Sequence, residues 1–138
     1  MAALLCLTLV GVTAAAPPAF AGPAKKFVAI DRTPDGHGYW LVDSAGAVDA
    51  FGDAGFYGSL SGGGSTVMGL EPTPDGHGYW LFTKTGSVQG FGDAVFYGDL
   101  ATTNVTGMAV TADGGGYWSY NQNLWMHHLT GGATYLPL

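Results

Sequence analysis

The side chains best able to do chemistry recur at fixed intervals. Asp35 and His37 stand in an Asp-Gly-His-Gly stretch that returns as Asp75 and His77, and a third copy keeps Asp113 but has Gly115 where the histidine would fall. Asp53 and Asp93 recur in the same way inside Phe-Gly-Asp-Ala. Carboxylates and imidazoles can bind metals or move protons, but this pattern argues against both. One histidine per repeat does not make a chelate, Asp53 and Asp93 each stand alone in the sequence, and calcium wants six or more oxygens. His127 and His128 are adjacent, so on a strand they would point to opposite faces and could not share an ion. An aspartate in a tight hairpin commonly accepts backbone N–H bonds from the residues after it. That structural role is assigned to Asp35, Asp75 and Asp113, and turn formation to Asp53 and Asp93. The chain holds no G-x-S-x-G elbow, no H-E-x-x-H and no phosphate-cradling glycine loop. No catalytic residue, metal or cofactor is therefore expected.

The aromatic residues divide into two sets. Trp40, Trp80 and Trp118 fall in register with the repeat, which is the behaviour of core between repeats. Trp125 takes the place of Ala47 in the last repeat and has no counterpart earlier in the chain. With Tyr57, Tyr97 and Tyr135 it forms the expected ligand-binding set, since flat rings beside hydrogen-bonding groups stack on sugars.

The elements that must position these residues are repeats. Residues 33–60 and 73–100 match at 19 of 28 positions across a spacing of 40, and a third block opens at Thr111 after 38 more. The approximate repeats are 27–66, 67–104 and 105–138. Each offers four short apolar runs; in the first copy these are 27–31, 39–43, 47–51 and 56–60, separated by Pro34-Asp35-Gly36, Ser44-Ala45-Gly46 and Gly52-Asp53-Ala54-Gly55. The expectation is an all-β chain of three four-stranded antiparallel repeats. Two architectures accommodate that unit, a propeller blade and a lobe of a β-trefoil. Tyr39-Trp40-Leu41-Val42 and Tyr79-Trp80-Leu81-Phe82 are unbroken apolar runs, and neighbouring side chains on a strand face opposite ways, so both faces need cover. Sheets sandwiched like propeller blades meet that need better than a barrel does.

The run TPDGHGYWLV, then FGDA and FYG, resembles the GYW/FGDA repeat found in tandem in secreted bacterial proteins, often beside a wall-active or hydrolytic domain. The likeness covers residues 28–117. It implies a propeller-like fold and a non-catalytic extracellular role. Three blades span only part of a circle, so either the flat faces of the first and last sheets pair with a second copy, two threes making a six-bladed ring, or the chain is a truncated relic of a longer array.

Composition bounds the partners. From Thr33 onward a single cation, Lys84, stands against nine acids, whereas a nucleic-acid binder needs clustered Lys and Arg. Residues 1–21 read as a signal peptide, an apolar run too short to span a bilayer followed by the cleavage tripeptide Ala19-Phe20-Ala21. Residues 22–138 then form a single secreted or cell-surface domain with no cysteine and no membrane segment. The expected function is a non-catalytic module that binds an extracellular polymer or partner, such as carbohydrate or cell wall. The alternatives are a partial propeller that assembles with itself as a homo-oligomer, and a hydrolase using Asp53 or Asp93.

Overall fold

The computed structural model describes residues 24–60, 62–100 and 103–122, and the backbone of 126–130. Among these residues the secondary structure is all β. The first sheet comprises β1 (Phe27–Arg32), β2 (Tyr39–Asp43) and β3 (Val48–Phe51). The second comprises β4 (Val67–Pro72), β5 (Gly78–Thr83) and β6 (Val88–Gly92), and the third β7 (Val105–Val110), β8 (Gly116–Asn121) and β9 (Met126–Thr130). Each sheet is an antiparallel meander with its second strand in the middle. Each first strand carries a bulge at the same place, at Phe27/Ala29, Val67/Gly69 and Val105/Gly107. The trefoil alternative fails, because its lobes would share one barrel and here the chain makes three separate sheets packed face to face.

The core lies between the sheets in two slabs. Trp40, Val42 and Val48 of the first sheet meet Val67, Leu70, Tyr79 and Leu81 of the second. On the other side of the second sheet, Trp80, Phe82 and Val88 meet Val105, Met108 and Tyr117 of the third. Alternate residues of β5 thus serve alternate slabs, and the strand is buried along its whole length. The unbroken apolar run in the sequence is the signature of that doubly covered position.

The expected fourth strand is not formed in the first two repeats. Residues 54–60 and 94–100 join no sheet. Instead of a ladder, side chains hold much of their backbone, with Leu60 and Leu100 donating to the Gly46 and Gly86 carbonyls. The indole of Trp40 donates to the Gly55 carbonyl at 2.7 Å, and that of Trp80 to the Val95 carbonyl at 2.8 Å. The Tyr79 hydroxyl accepts from the N–H groups of Tyr57 and Gly58 and donates to the Gly58 carbonyl at 2.6 Å. Gly58 has a positive φ of 146° and Gly98 one of 124°, which breaks the extended run in both copies. The segment therefore lies across the boundary between one sheet and the next.

Candidate functional site

The rim that carries the repeated aspartates is built from two turns pressed together. Thr33 starts the first hairpin, and its hydroxyl lies 2.6 Å from Asp35 Oδ1 and 2.9 Å from the Gly38 N–H, which it accepts. Asp35 Oδ1 also accepts the His37 N–H at 3.1 Å. Thr73, Asp75, His77 and Gly78 repeat this arrangement. In the third copy Asp113 Oδ1 accepts from the Gly115 N–H at 3.0 Å. The Phe-Gly-Asp-Ala turn closes on the hairpin because neither partner has a side chain at the junction. A Cβ at Gly38 would lie 2.5 Å from the Ala54 nitrogen, and one at Gly52 would strike the His37 carbonyl oxygen.

This packing corrects one sequence expectation. Asp53 does not stand alone: Asp35, His37 and Asp53 offer ligand atoms that all lie within 4.8 Å of one another, as do Asp75, His77 and Asp93. Two carboxylates and an imidazole are a donor set that could hold a divalent cation, with the remaining positions filled from solvent or ligand. All six residues are exposed. Hydrogen bonds to the ionised form, first from the Thr33 hydroxyl and then from the His37 N–H, hold the Asp35 carboxyl well below the usual carboxylate range. For Asp75 the His77 N–H contributes most, followed by Thr73.

Between successive hairpins the rim forms shallow clefts. The first, about 240 Å³, is lined by Thr33, Pro34, Asp35, Asp53, Tyr57 and Asp75, among others. The second, also about 240 Å³, is lined by their equivalents Thr73, Pro74, Asp75, Asp93 and Asp113, with Trp80 and Val95. Each cleft is thus bordered by carboxylates of two neighbouring repeats.

The aromatic residues named from sequence are differently placed. Tyr57 is half-buried and donates its hydroxyl to the Gly76 carbonyl at 2.9 Å, with its ring 5.6 Å from Tyr79. Tyr97 does the same one repeat on, donating to the Gly114 carbonyl at 2.8 Å with its ring 5.7 Å from Tyr117. Both brace one repeat against the next, and Tyr57 also forms an edge of the first cleft. Trp40 and Trp80 are fully buried, edge-on to Tyr79 and Tyr117 respectively. Trp118 is half-buried on the third sheet. Trp125 and Tyr135 lie outside the described residues, as does the expected signal segment.

Sequence reasoning missed a second pair of acids. Asp31 and Glu71 occupy equivalent positions on β1 and β4, opposite Trp40 and Trp80 respectively. Burial pushes the Asp31 carboxyl up to about 6. Burial, reinforced by the charge of Asp31, pushes Glu71 up to about 7. Their signal was available in the sequence: an acid in the same place in two largely apolar strands, with Ala109 in the third.

No family model matches the chain, and no curated protein does either. Among solved structures the chain is similar to the β-propeller domain of Cps50 (Swd1) from Myceliophteria thermophila, with a TM-score of 0.61 over 85% of this chain at 10% identity. The fold is propeller-like. The chain spans 38% of the length of that propeller, so its three sheets correspond to an arc of a ring.

Proposed function

We propose that the chain is a secreted, non-catalytic propeller module that holds an extracellular polyhydroxylated polymer, carbohydrate or cell wall, along its hairpin rim. What supports the reading is the cleft of about 240 Å³ that occurs twice with equivalent lining residues. A repeated shallow site suits a repeating ligand, because each further unit engages at the high effective concentration set by the first. The lining chemistry favours hydroxyl groups: ionised carboxylates accept strong hydrogen bonds and donate none. Asp35, Asp53, Asp75, Asp93 and Asp113 give the rim one sign of charge, which disfavours polyanions and favours neutral or amine-bearing glycans.

The test is retention of the purified chain on insoluble cell-wall polysaccharide, comparing the native sequence with the double variant Asp53→Asn/Asp93→Asn. Loss of retention by roughly tenfold or more, with the thermal melt unchanged, is the expected result. Equal retention by the double variant removes the rim as the binding surface.

A further inference from the structure

We propose that the outer face of the first sheet is a docking surface for the third sheet of a second copy of this chain, so that two arcs join head to tail. The argument starts from a template inside the molecule. The second sheet presents Leu70, Tyr79, Leu81 and Phe91 to the first, and these residues take up Trp40, Val42 and Tyr57. The third sheet takes up Trp80, Phe82 and Tyr97 through Met108 and Tyr117 in the same way. Every internal junction therefore has a receiving face, built around a tyrosine, and an inserting face, built around a tryptophan.

Among the described residues, the first sheet carries the receiving residues without a neighbour to fill them. Ile30, Tyr39, Leu41 and Phe51 stand 40 residues before Leu70, Tyr79, Leu81 and Phe91, and in the same register: Ile30 opposite Leu41, Tyr39 opposite Phe51. Ile30 is 64% exposed where Leu70 is 2% exposed, and Tyr39 is 39% exposed where Tyr79 is fully buried. Phe51 is 42% exposed. Their rings also differ in pose. Tyr39 and Phe51 lie stacked at 4.9 Å and 14°, whereas Tyr79 and Phe91 are tilted at 44° with Tyr57 and Trp40 packed beside the tyrosine. Arg32 beside Tyr39 and the Lys25–Asp49 ion pair beside Leu41 border this patch, where the second sheet has Pro72 and Gln89, and the exposed Ile30, Tyr39 and Phe51 between them call for cover.

The occupant follows from what fills the internal copies. It must offer an indole in the register of Trp40, and the third sheet offers Trp118, opposite Ala109 as Trp40 is opposite Asp31. The third sheet of the same chain cannot serve, because the second sheet is packed between it and the first. A second copy brings the right face. The inserting faces of the first two sheets each carry a half-buried carboxylate, Asp31 and Glu71, while the third has Ala109 in that place, so the intermolecular junction desolvates no acid there. Head-to-tail contacts either close a ring or propagate; two three-bladed arcs related by a two-fold axis close with two identical junctions.

The test is the native mass of the purified full chain by light scattering, for the native sequence, Ile30→Asp and Trp118→Asp, with circular dichroism to establish that each variant is folded. The native chain is expected to be a dimer and each variant a monomer. Mixing the two variants is then expected to restore a dimer, because one intact junction remains between the Ile30→Asp copy's third sheet and the Trp118→Asp copy's first sheet. A native monomer overturns the proposal, and so does an Ile30→Asp dimer. If Trp118→Asp fails to fold, Ile30→Asp alone decides: a folded monomer is the expected result, and a dimer overturns the proposal.

Discussion

The Tyr79 hydroxyl shows how much of the inter-sheet structure rests on single polar atoms. It accepts from two backbone N–H groups, of Tyr57 at 3.2 Å and Gly58 at 3.0 Å, and donates to the Gly58 carbonyl. Burial pushes its ionisation upward, so it stays a neutral donor across the working range of pH. Tyr117 plays the corresponding part for Gly98, and its hydroxyl is pushed up to about 12 by the same cause. Replacing Tyr79 by Phe keeps the ring and strands three backbone groups at the boundary between sheets. Leaving such groups unsatisfied costs about 1–3 kcal/mol each, less whatever water recovers. We expect Tyr79→Phe to lower the free energy of unfolding in urea by about 2–3 kcal/mol. Tyr120→Phe, at a position 47% exposed, should change it by less than about 0.5 kcal/mol. Equal effects at the two positions would refute the bridging role.

At the scale of elements, the hairpin and the Phe-Gly-Asp-Ala turn behave as one unit. Gly52 has φ of 69°, and a Cβ there would collide with the His37 carbonyl oxygen. Gly52→Ala therefore combines a left-handed backbone with a forced separation of the two turns, and should cost about 2 kcal/mol or more. Gly63→Ala, where nothing lies within 4 Å and φ is not positive, should be close to neutral. Thermal melts of the two variants check this. The same turns mark what was legible in the sequence. Pro34-Asp35-Gly36 announces its hairpin, and the Tyr-Trp-Leu-Phe run announces a strand covered on both faces, because each signal is local. The meeting of Asp53 with Asp35 and His37 depends on two turns about 15 residues apart docking through Gly38 and Gly52, and only the joint recurrence of those glycines hinted at it. The run Phe56 to Leu60 has the composition of a strand, yet its backbone at Tyr57 and Gly58 is held by the Tyr79 hydroxyl, the Gly55 carbonyl just before it by the Trp40 indole, and its own Ser59 hydroxyl accepts the Val48 N–H, partners that composition does not reveal.

On the scale of the whole molecule, the first strands of the three sheets lie side by side along the arc, β1 against β4 and β4 against β7. This places Asp31 and Glu71 in one half-buried row, with both carboxyls raised, to about 6 and about 7. A carboxyl whose folded value exceeds its unfolded one binds more protons in the native state. Its contribution is therefore fully present below about pH 4 and is lost as pH rises through the folded value. Asp35 and Asp75 run the other way, since their lowered values give stability that is present above about pH 4 and lost only in more acidic solution. Between pH 5 and pH 8 the raised pair thus acts without opposition from the rim. The chain should melt lower at pH 8 than at pH 5, by roughly 2–6 °C once solvent screening of the half-exposed groups is allowed for. Glu71→Gln keeps the shape and removes the charge, so it should erase most of that difference and also relieve Asp31 of a like neighbour. Melting curves of both proteins at a fixed concentration across this range decide the matter: a native chain more stable at pH 8, or a Glu71→Gln variant with the full native slope, would mean that the row of acids is solvated and does not couple one sheet to the next.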